Sequence, residues 1–261
     1  MTSDIPAFGP SQRYVLRQYR DDERLNVRVR THQLYSESRV VFPEWVLGHL
    51  GARTGDRVLD VGSGPGEYHG HLRHVRVTAV DLSPGIIANL AVPAVIADAQ
   101  ALPLSEGSFD RAMANHVLYL VPDRAQALRE LRRVTRPGGR VVMATNSRSS
   151  MARLFEVVRE AAVQVGLPDS GPRLFSFSLE DLELVRSVFP NAQVAVFEDA
   201  LVFRDAQPVL DYVGSQGWVS DLPDEQRRTL LAALAERVDA IIAASGSFRV
   251  PKSSGCFIAD A

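Results

Sequence analysis

The stretch at residues 58–66, which reads VLDVGSGPG, constrains the fold of this chain more than any other. Its apolar residues predict a buried strand, and glycines at alternate positions, Gly62, Gly64 and Gly66, predict a tight turn after it. Glycine adopts positive φ angles readily and lets a ligand lie against bare main chain. A helix predicted over residues 67–73 would point its free N–H groups back at this turn and favour an anionic or polar ligand. The stretch therefore predicts a strand that ends in a ligand-binding loop.

Short apolar runs alternate with helical stretches along the rest of the chain. Further strands are predicted at residues 75–80, 92–97, 109–114, 141–145, 194–203 and 255–259. Parallel neighbouring strands need a crossover connection, which is usually a helix. The alternation therefore predicts an α/β fold with a parallel, doubly wound sheet.

Composition narrows the classes of partner. The chain has 261 residues, a formal net charge of -2 and a pI near 6.3, so it has no global attraction to nucleic acid or acidic membranes. A single cysteine, Cys256, excludes an internal disulfide. The polar N-terminal residues have neither a signal-peptide pattern nor a spanning segment, which predicts a cytoplasmic protein without membrane contact. Lys252 is the only lysine, so chemistry that needs several lysines is excluded.

The glycine spacing discriminates between ligands for the loop. A dinucleotide-binding fingerprint places its third glycine three positions after the second, where this chain has Glu67. Asp81 ends the second predicted strand and suits two ribose hydroxyls, and Asp98 ends the third and suits an adenine amino group. Open α/β sheets bind ligands at the carboxyl ends of their strands. A nucleoside is therefore favoured, although Asp81 could instead cap the helix that Ser83 and Pro84 begin, and Asp98 could bond nearby N–H groups.

Five segments in this order resemble the class I S-adenosylmethionine-dependent methyltransferases, closest to the methyltransferase type 11-like branch that acts on small molecules. They read VLDVGSGPGEY, VTAVDLS, IADAQALPLSEGSFD, NHVLYLVPD and LRRVTRPGGRVVM, and the similarity covers residues 57–146. The resemblance implies a Rossmann-like sheet of seven strands, mostly parallel with the last strand antiparallel. It also implies a helical lid at residues 1–50, a cofactor-binding core at 51–146, an inserted cap at 147–192 and the rest of the core at 193–261.

The same resemblance implies S-adenosyl-L-methionine as the cofactor and S-adenosyl-L-homocysteine as its product. The methionine part would be held by Asp60 and by the loop that contains Gly62, Ser63, Gly64 and Gly66. Asp81 would hold the ribose, and Leu82, Asp98 and Ala99 the adenine. Asn115 and His116 would line the floor of the site near the sulfonium. No metal is expected.

The histidine and tyrosine candidates each have a structural alternative. His116 could act as a catalytic base or be a packed residue whose ring is bonded to backbone. His32 and Tyr35 could close over the methyl group, whereas Tyr35 could equally pack on the sheet. His69, His71 and His74 superficially resemble a metal cluster, but their spacing predicts a solvated helix face.

We expect methyl transfer to a small molecule, achieved mainly by alignment of the acceptor and exclusion of water, with or without a base. The fourth strand ends in NHVLY rather than in the proline-and-aromatic sequence of amino-group nucleic-acid methyltransferases. Two alternatives stay open. One is a tRNA or rRNA methyltransferase whose arginine-rich segment at residues 14–36 contacts phosphates, and the other is a protein that binds the cofactor without transferring the methyl group.

Overall fold

The computed structural model describes residues 23–167 and 176–261. Its strands are β1 (Arg57–Val61), β2 (Arg76–Asp81), β3 (Ala94–Ile96), β4 (Phe109–Met113), β5 (Thr135–Asn146), β6 (Gln193–Phe203) and β7 (Phe248–Asp260). They form a seven-stranded sheet in the order β3-β2-β1-β4-β5-β7-β6. The strands from β3 to β5 pair in parallel, and β7 pairs antiparallel with both β5 and β6. The predicted doubly wound sheet with an antiparallel last strand is confirmed.

Helices cover both faces of the sheet and its β6 edge. They are α1 (Glu23–Tyr35), α2 (Phe42–Leu50), α3 (Pro84–Ile87), α4 (Arg124–Val134), α5 (Ala152–Gln164), α6 (Leu182–Arg186), α7 (Gln207–Gly214), α8 (Gly217–Ser220) and α9 (Asp224–Ser245). None of the helices in the described ranges is both long and apolar enough to cross a membrane.

The alternation of side chains along β1 explains how the strand is buried on both faces. Leu59 and Val61 pack in the cluster that contains the apolar face of α4, whereas Val58 packs on the other face against α2. Successive side chains of a strand point to opposite faces, so a continuous apolar run suits a strand with helices on both sides. The loop after β1 therefore extends from the most enclosed part of the sheet.

A further apolar cluster lies where β6 and β7 extend beyond the parallel strands. It joins these two strands to α5, α7 and α9, and Phe203, Phe248 and Leu234 are among its fully buried members. Tyr35 at the end of α1 packs against this cluster. The N-terminal helix is therefore attached to the antiparallel end of the sheet.

Local signals at helix ends are confirmed. The Ser83 hydroxyl accepts a hydrogen bond from the Ile86 N–H at 3.5 Å, and Pro84 follows at the first helical position. Gly51 ends α2 in the left-handed conformation, with a φ of 59°.

The helix predicted over residues 67–73 is wrong, because the structure has only a short 3-10 turn there, His69–His71. Gly70 lies in the middle of this turn, and glycine weakens a helix because it loses more backbone freedom than other residues. The side chain of His69 also folds back towards β1, where it bonds Asp60. The segment after the glycine loop is thus a compact connection and offers no helix N-terminus to a ligand.

The last strand is much longer than predicted. The sequence predicted it over residues 255–259, but β7 pairs with β6 from Phe248 to Ile258. Its first half contains Pro251 and Lys252 and lacks an apolar run, so the pairing with a long neighbouring strand, rather than local composition, makes it a strand. β5 likewise begins at Thr135, before the predicted start at residue 141.

Replacement of Gly255 tests the packing of β7 between its two neighbours. A Cβ at this position would collide with the carbonyl oxygen of Ala195 in β6. We expect Gly255→Ala to lower the free energy of unfolding by roughly 1–3 kcal/mol, because the backbone must shift to admit the methyl group. Urea unfolding followed by circular dichroism measures this change.

The matched control is Gly48→Ala in α2, where a Cβ would meet no heavy atom within 4 Å. Alanine is a better helix former than glycine, so this variant should be at least as stable as the native protein. Equal unfolding midpoints for the two variants would contradict the close approach of β6 to Gly255.

Candidate functional site

The glycine loop after β1 is bonded tightly to β2. The N–H groups of Gly62 and Ser63 both donate to the carbonyl of Val80, at 2.7 Å and 3.1 Å. Gly62, Gly64 and Gly66 have φ angles of 69°, 53° and 80°. L side chains rarely adopt such angles, so the alternate glycines are required by the backbone itself, as the sequence predicted.

Asp81 at the end of β2 faces this loop. Its Oδ2 accepts the N–H of Gly64 at 3.1 Å, and its Oδ1 accepts the N–H of Ser83 at 2.9 Å. Burial raises the pKa of the carboxyl group, while these backbone N–H groups lower it. The carboxylate therefore holds the loop in place and still lines the adjoining cavity. The two roles that the sequence offered for Asp81, a local acceptor and a ligand contact, are compatible.

Asp60 in β1 forms a pair with His69 that the sequence did not predict. The carboxylate is buried, and its Oδ2 lies 2.9 Å from His69 Nε2. The predicted solvated face is therefore wrong for His69, whose side chain is only 11% exposed. Burial raises the pKa of Asp60 and the neighbouring Asp81 raises it further, whereas the bond to His69 lowers it.

The floor of the cavity carries two buried polar atoms that make no hydrogen bond to any described residue. They are the hydroxyl oxygen of Ser63 and the amide nitrogen Nδ2 of Asn115. Asn115 is held from its other side, because its Oδ1 accepts the N–H of Ala144 at 3.2 Å. An unpaired buried polar group costs about 1–3 kcal/mol, so these two atoms indicate positions where a polar ligand would bind.

His116 follows Asn115 and lies in the wall of the same cavity. Its backbone is left-handed, with a φ of 54°, and its N–H donates to the carbonyl of Ala144 at 2.8 Å. Such strain in a residue other than glycine persists only where the surroundings hold it, and it often marks a functional site. Burial and, secondarily, the charge of Lys252 lower the pKa of His116 to about 4. The imidazole is therefore neutral at neutral pH and can accept a proton.

His32 and Tyr35, the other two predicted catalytic residues, do not line the cavity. The ring of Tyr35 packs against Phe203 with centroids 5.1 Å apart, which matches the packing alternative. His32 is buried between Tyr212 and Lys252, whose Nζ lies 3.3 Å from its Nδ1. The residues of α1 that do reach the cavity are Leu25 and Val29.

The residues predicted to contact adenine line the same cavity. They are Leu82, Asp98 and Ala99, and Ile86 of α3 lines it with them. The Asp98 carboxylate also accepts bonds from the backbone and side chain of Gln100, each at 2.9 Å. Gln100 is a residue that the sequence reasoning missed, since it carries no motif signal of its own.

The charges at the cavity favour a ligand that carries a positive group. Asp60 is buried and Asp81 half-buried, the pKa of both carboxyl groups is raised, and each would be stabilised as a carboxylate by a nearby cation. Among the described residues, no group of three or more His, Cys, Asp or Glu side chains could hold a metal ion.

A more open depression lies elsewhere, between β6, β7 and the segment after β5. Its two carboxylates are already bonded, Glu180 by the hydroxyl of Ser147 at 2.7 Å and Glu198 by that of Ser253 at 2.8 Å. It contains no residue of the glycine loop. The cavity at the ends of β1, β2 and β4 is the better candidate for the active site.

The chain is similar to known methyltransferases. Residues 59–143 match a family described as a methyltransferase domain. The chain is 32% identical over 176 residues to a demethylmenaquinone methyltransferase of Mycolicibacterium paratuberculosis. The aligned region covers 65% of this chain and 70% of that protein. It is 38% identical over 118 residues to a malonyl-[acyl-carrier protein] O-methyltransferase of Pseudescherichia vulneris, which covers 42% of this chain and 47% of the relative. The chain thus spans less than half the length of some curated relatives that it matches.

Among solved structures, the [4+2]-cyclase SpnF superimposes with a TM-score of 0.62 over 97% of both chains, at 17% sequence identity. At that identity the likeness concerns the fold alone. The family follows instead from the matched domain and from the identity that extends over more than two thirds of the demethylmenaquinone methyltransferase. The chain belongs to the class I S-adenosylmethionine-dependent methyltransferases.

Proposed function

We propose that the protein transfers a methyl group from S-adenosylmethionine to a small-molecule acceptor, at the cavity formed by the ends of β1, β2 and β4. The observation that carries this proposal is the pair of unbonded buried polar atoms, Ser63 Oγ and Asn115 Nδ2, on the floor of that cavity. Asp81, whose carboxylate suits a ribose, and His116, whose imidazole suits a proton, line the same cavity.

The residues present fit the cofactor. Asp81 would accept ribose hydroxyls, because a carboxylate has about four lone-pair positions and the N–H groups of Gly64, Ser83 and Leu82 do not use all of them. Leu82, Ala99 and Ile86 would enclose the adenine. Gly62 leaves the loop bare beside Val117, with whose side chain a Cβ at Gly62 would collide.

Asp60 would hold the methionine end of the cofactor. Its buried carboxylate would be stabilised by the cofactor's ammonium group, and His69 keeps that carboxylate in one orientation. The bond between His69 and Asp60 uses one carboxylate oxygen, which leaves the other for the ligand. His69 is therefore a positioning residue in this proposal.

When bound, the cofactor supplies a methyl group that its sulfonium has already activated. The protein then has to align the acceptor and exclude water, and both effects contribute several kcal/mol to catalysis. Leu25 and Val29 of α1 line the cavity with apolar side chains and would help to exclude water from it. His116 would accept a proton from the acceptor, for which its neutral form at physiological pH is suited.

The hydrogen bonds of Arg24 and Arg28 support a small-molecule acceptor over an RNA acceptor, because these side chains are bonded within the protein. Arg24 donates to the hydroxyl of Ser220 at 2.9 Å and Arg28 to the carbonyl of Ser215 at 3.0 Å. These two side chains attach α1 to the helices next to it. Of the other arginines of the predicted phosphate-contacting segment, Arg30 is exposed, and Arg17 and Arg20 lie outside the described residues. The malonyl-[acyl-carrier protein] and demethylmenaquinone methyltransferases among the relatives also carry names that indicate acceptors other than nucleic acid.

Transfer of a labelled methyl group tests this function directly. The purified protein is incubated with methyl-labelled S-adenosylmethionine and a bacterial cell extract, which is then separated into small-molecule, protein and RNA fractions. We expect the label in the small-molecule fraction. His116→Ala should transfer less label while binding S-adenosylhomocysteine as the native protein does, because the side chain acts on the acceptor.

The other results would contradict the proposal in different ways. Label that nuclease releases from the RNA fraction would favour the tRNA or rRNA alternative. No label in any fraction, from a protein that binds S-adenosylhomocysteine, would favour a protein that keeps the cofactor without transferring its methyl group.

Substitution of Asp81 tests the ribose contact. Hydrogen bonds to charged groups contribute about 1.5–3 kcal/mol, so Asp81→Asn should weaken S-adenosylhomocysteine binding roughly 10- to 100-fold. Isothermal titration calorimetry measures the affinity. Asparagine retains the size of the side chain and one acceptor oxygen for the loop.

Asp110→Asn is the matched control. Asp110 accepts bonds from Arg57 and Arg136 at the opposite end of the sheet. This variant removes a charge of equal size from a strand end, and its affinity for S-adenosylhomocysteine should equal that of the native protein. Equal losses in both variants would show that the effect comes from stability or net charge rather than from the ribose contact.

A further inference from the structure

The only lysine of the chain lies buried at the junction between α1 and the antiparallel end of the sheet. Lys252 in β7 is 8% exposed. Its Nζ lies 3.0 Å from Asp199 Oδ2 in β6 and donates to Ser36 Oγ at 2.8 Å. It also lies 3.3 Å from Nδ1 of His32 in α1. One ammonium group thus connects two strands to the end of the helix that covers the cofactor cavity.

The contact with Lys252 determines the tautomer of His32. An ammonium group has donors only, so the Nδ1 that faces it must be the acceptor. A neutral imidazole that accepts at Nδ1 carries its proton on Nε2. Burial and the charge of Lys252 lower the pKa of His32 to about 3, with smaller contributions from His116, Asp199 and Arg28, of which only Asp199 raises it. His32 is therefore a neutral side chain in one tautomer rather than a base.

The charge of the same ammonium group also lowers the pKa of His116, which lines the cavity. Apart from burial, the cause that lowers the pKa of His116 is the charge of Lys252. Asp199 is bonded to Lys252 and to the N–H groups of Ser38 and Ala200, at 2.8 Å and 2.7 Å, so the position of the ion pair is set by the backbone. The ammonium group is therefore held beside His32 by the backbone of β6 and of the segment after α1.

We propose that Lys252 is a positioning residue of the active site, which holds α1 over the cofactor cavity through its contacts with His32 and Ser36. This inference rests on the proposed methyl transfer for its consequence, but its physical content is independent of any acceptor. In that transfer the carbon–sulfur bond would break as the acceptor atom forms its bond to the methyl carbon, the electron pair would stay on sulfur, and a proton lost by the acceptor would pass to His116 and then to water.

Nuclear magnetic resonance of the histidine side chains tests the inference without any acceptor. The informative variant is Lys252→Met combined with Asp199→Asn, which removes both charges and keeps the acceptor oxygen for Ser38 and Ala200. We expect the titration midpoint of His116 to rise by roughly one pH unit, because a nearby positive charge that opposed its protonation is gone. The nitrogen shifts of His32 should show the Nε2–H tautomer in the native protein and lose that restriction in the double variant.

Lys252→Arg is the control, because it keeps a positive charge and hydrogen-bond donors at the site. It should leave the His116 midpoint near its native value. His32→Gln and His116→Gln assign the two resonances. A native His32 in the Nδ1–H tautomer, or a folded double variant in which His32 keeps the native tautomer, would overturn the inference.

Affinity for S-adenosylhomocysteine is the second measurement, because it depends on whether α1 is held over the cavity that Leu25 and Val29 line. The double variant should bind S-adenosylhomocysteine more weakly than the native protein, and Lys252→Arg should lose less affinity than the double variant. Unchanged affinity in the double variant would contradict a role of Lys252 in holding α1 over the cavity. Failure of methyl transfer in the labelled-extract experiment would leave both readouts intact, so the two proposals fail separately.

Discussion

The attachment of the glycine loop to the end of β2 is the interaction on which the rest of the site depends. Two N–H groups of the loop share the carbonyl of Val80, and a third, from Gly64, is accepted by Asp81. These bonds require left-handed backbone at the alternate glycines. They bring the carboxylates of β1 and β2 to the same cavity, where the strand order places β1 between β2 and β4.

The second constraint is electrostatic. Among the described residues, no arginine or lysine is bonded to Asp60 or Asp81. Burial raises the pKa of both carboxyl groups, fully for Asp60 and partly for Asp81, which is half-buried. On the acceptor side, the only lysine is paired with Asp199 and acts against protonation of His32 and His116. The cavity thus has an acidic part that suits a cationic cofactor, and its wall also contains the neutral imidazole of His116.

Much of the fold could be predicted from the sequence because its signals are local. The strand and loop at residues 58–66, the cap at Ser83 and the left-handed Gly51 each depend on residues within a few positions. The contacts that could not be predicted join distant parts of the chain. Lys252 bonds Ser36 and His32 across more than 200 positions, and β7 becomes long only because β6 lies beside it. The one available signal for Lys252 was its uniqueness in a chain rich in arginine.

A crystal structure with S-adenosylhomocysteine bound tests the central claim most directly. The account predicts the ribose hydroxyls on the carboxylate of Asp81 and polar atoms of the ligand within hydrogen-bond distance of Ser63 Oγ and Asn115 Nδ2. It also predicts that the sulfur lies on the side of the cavity where His116 is. A ligand bound away from the glycine loop, or a sulfur that points away from His116, would contradict it.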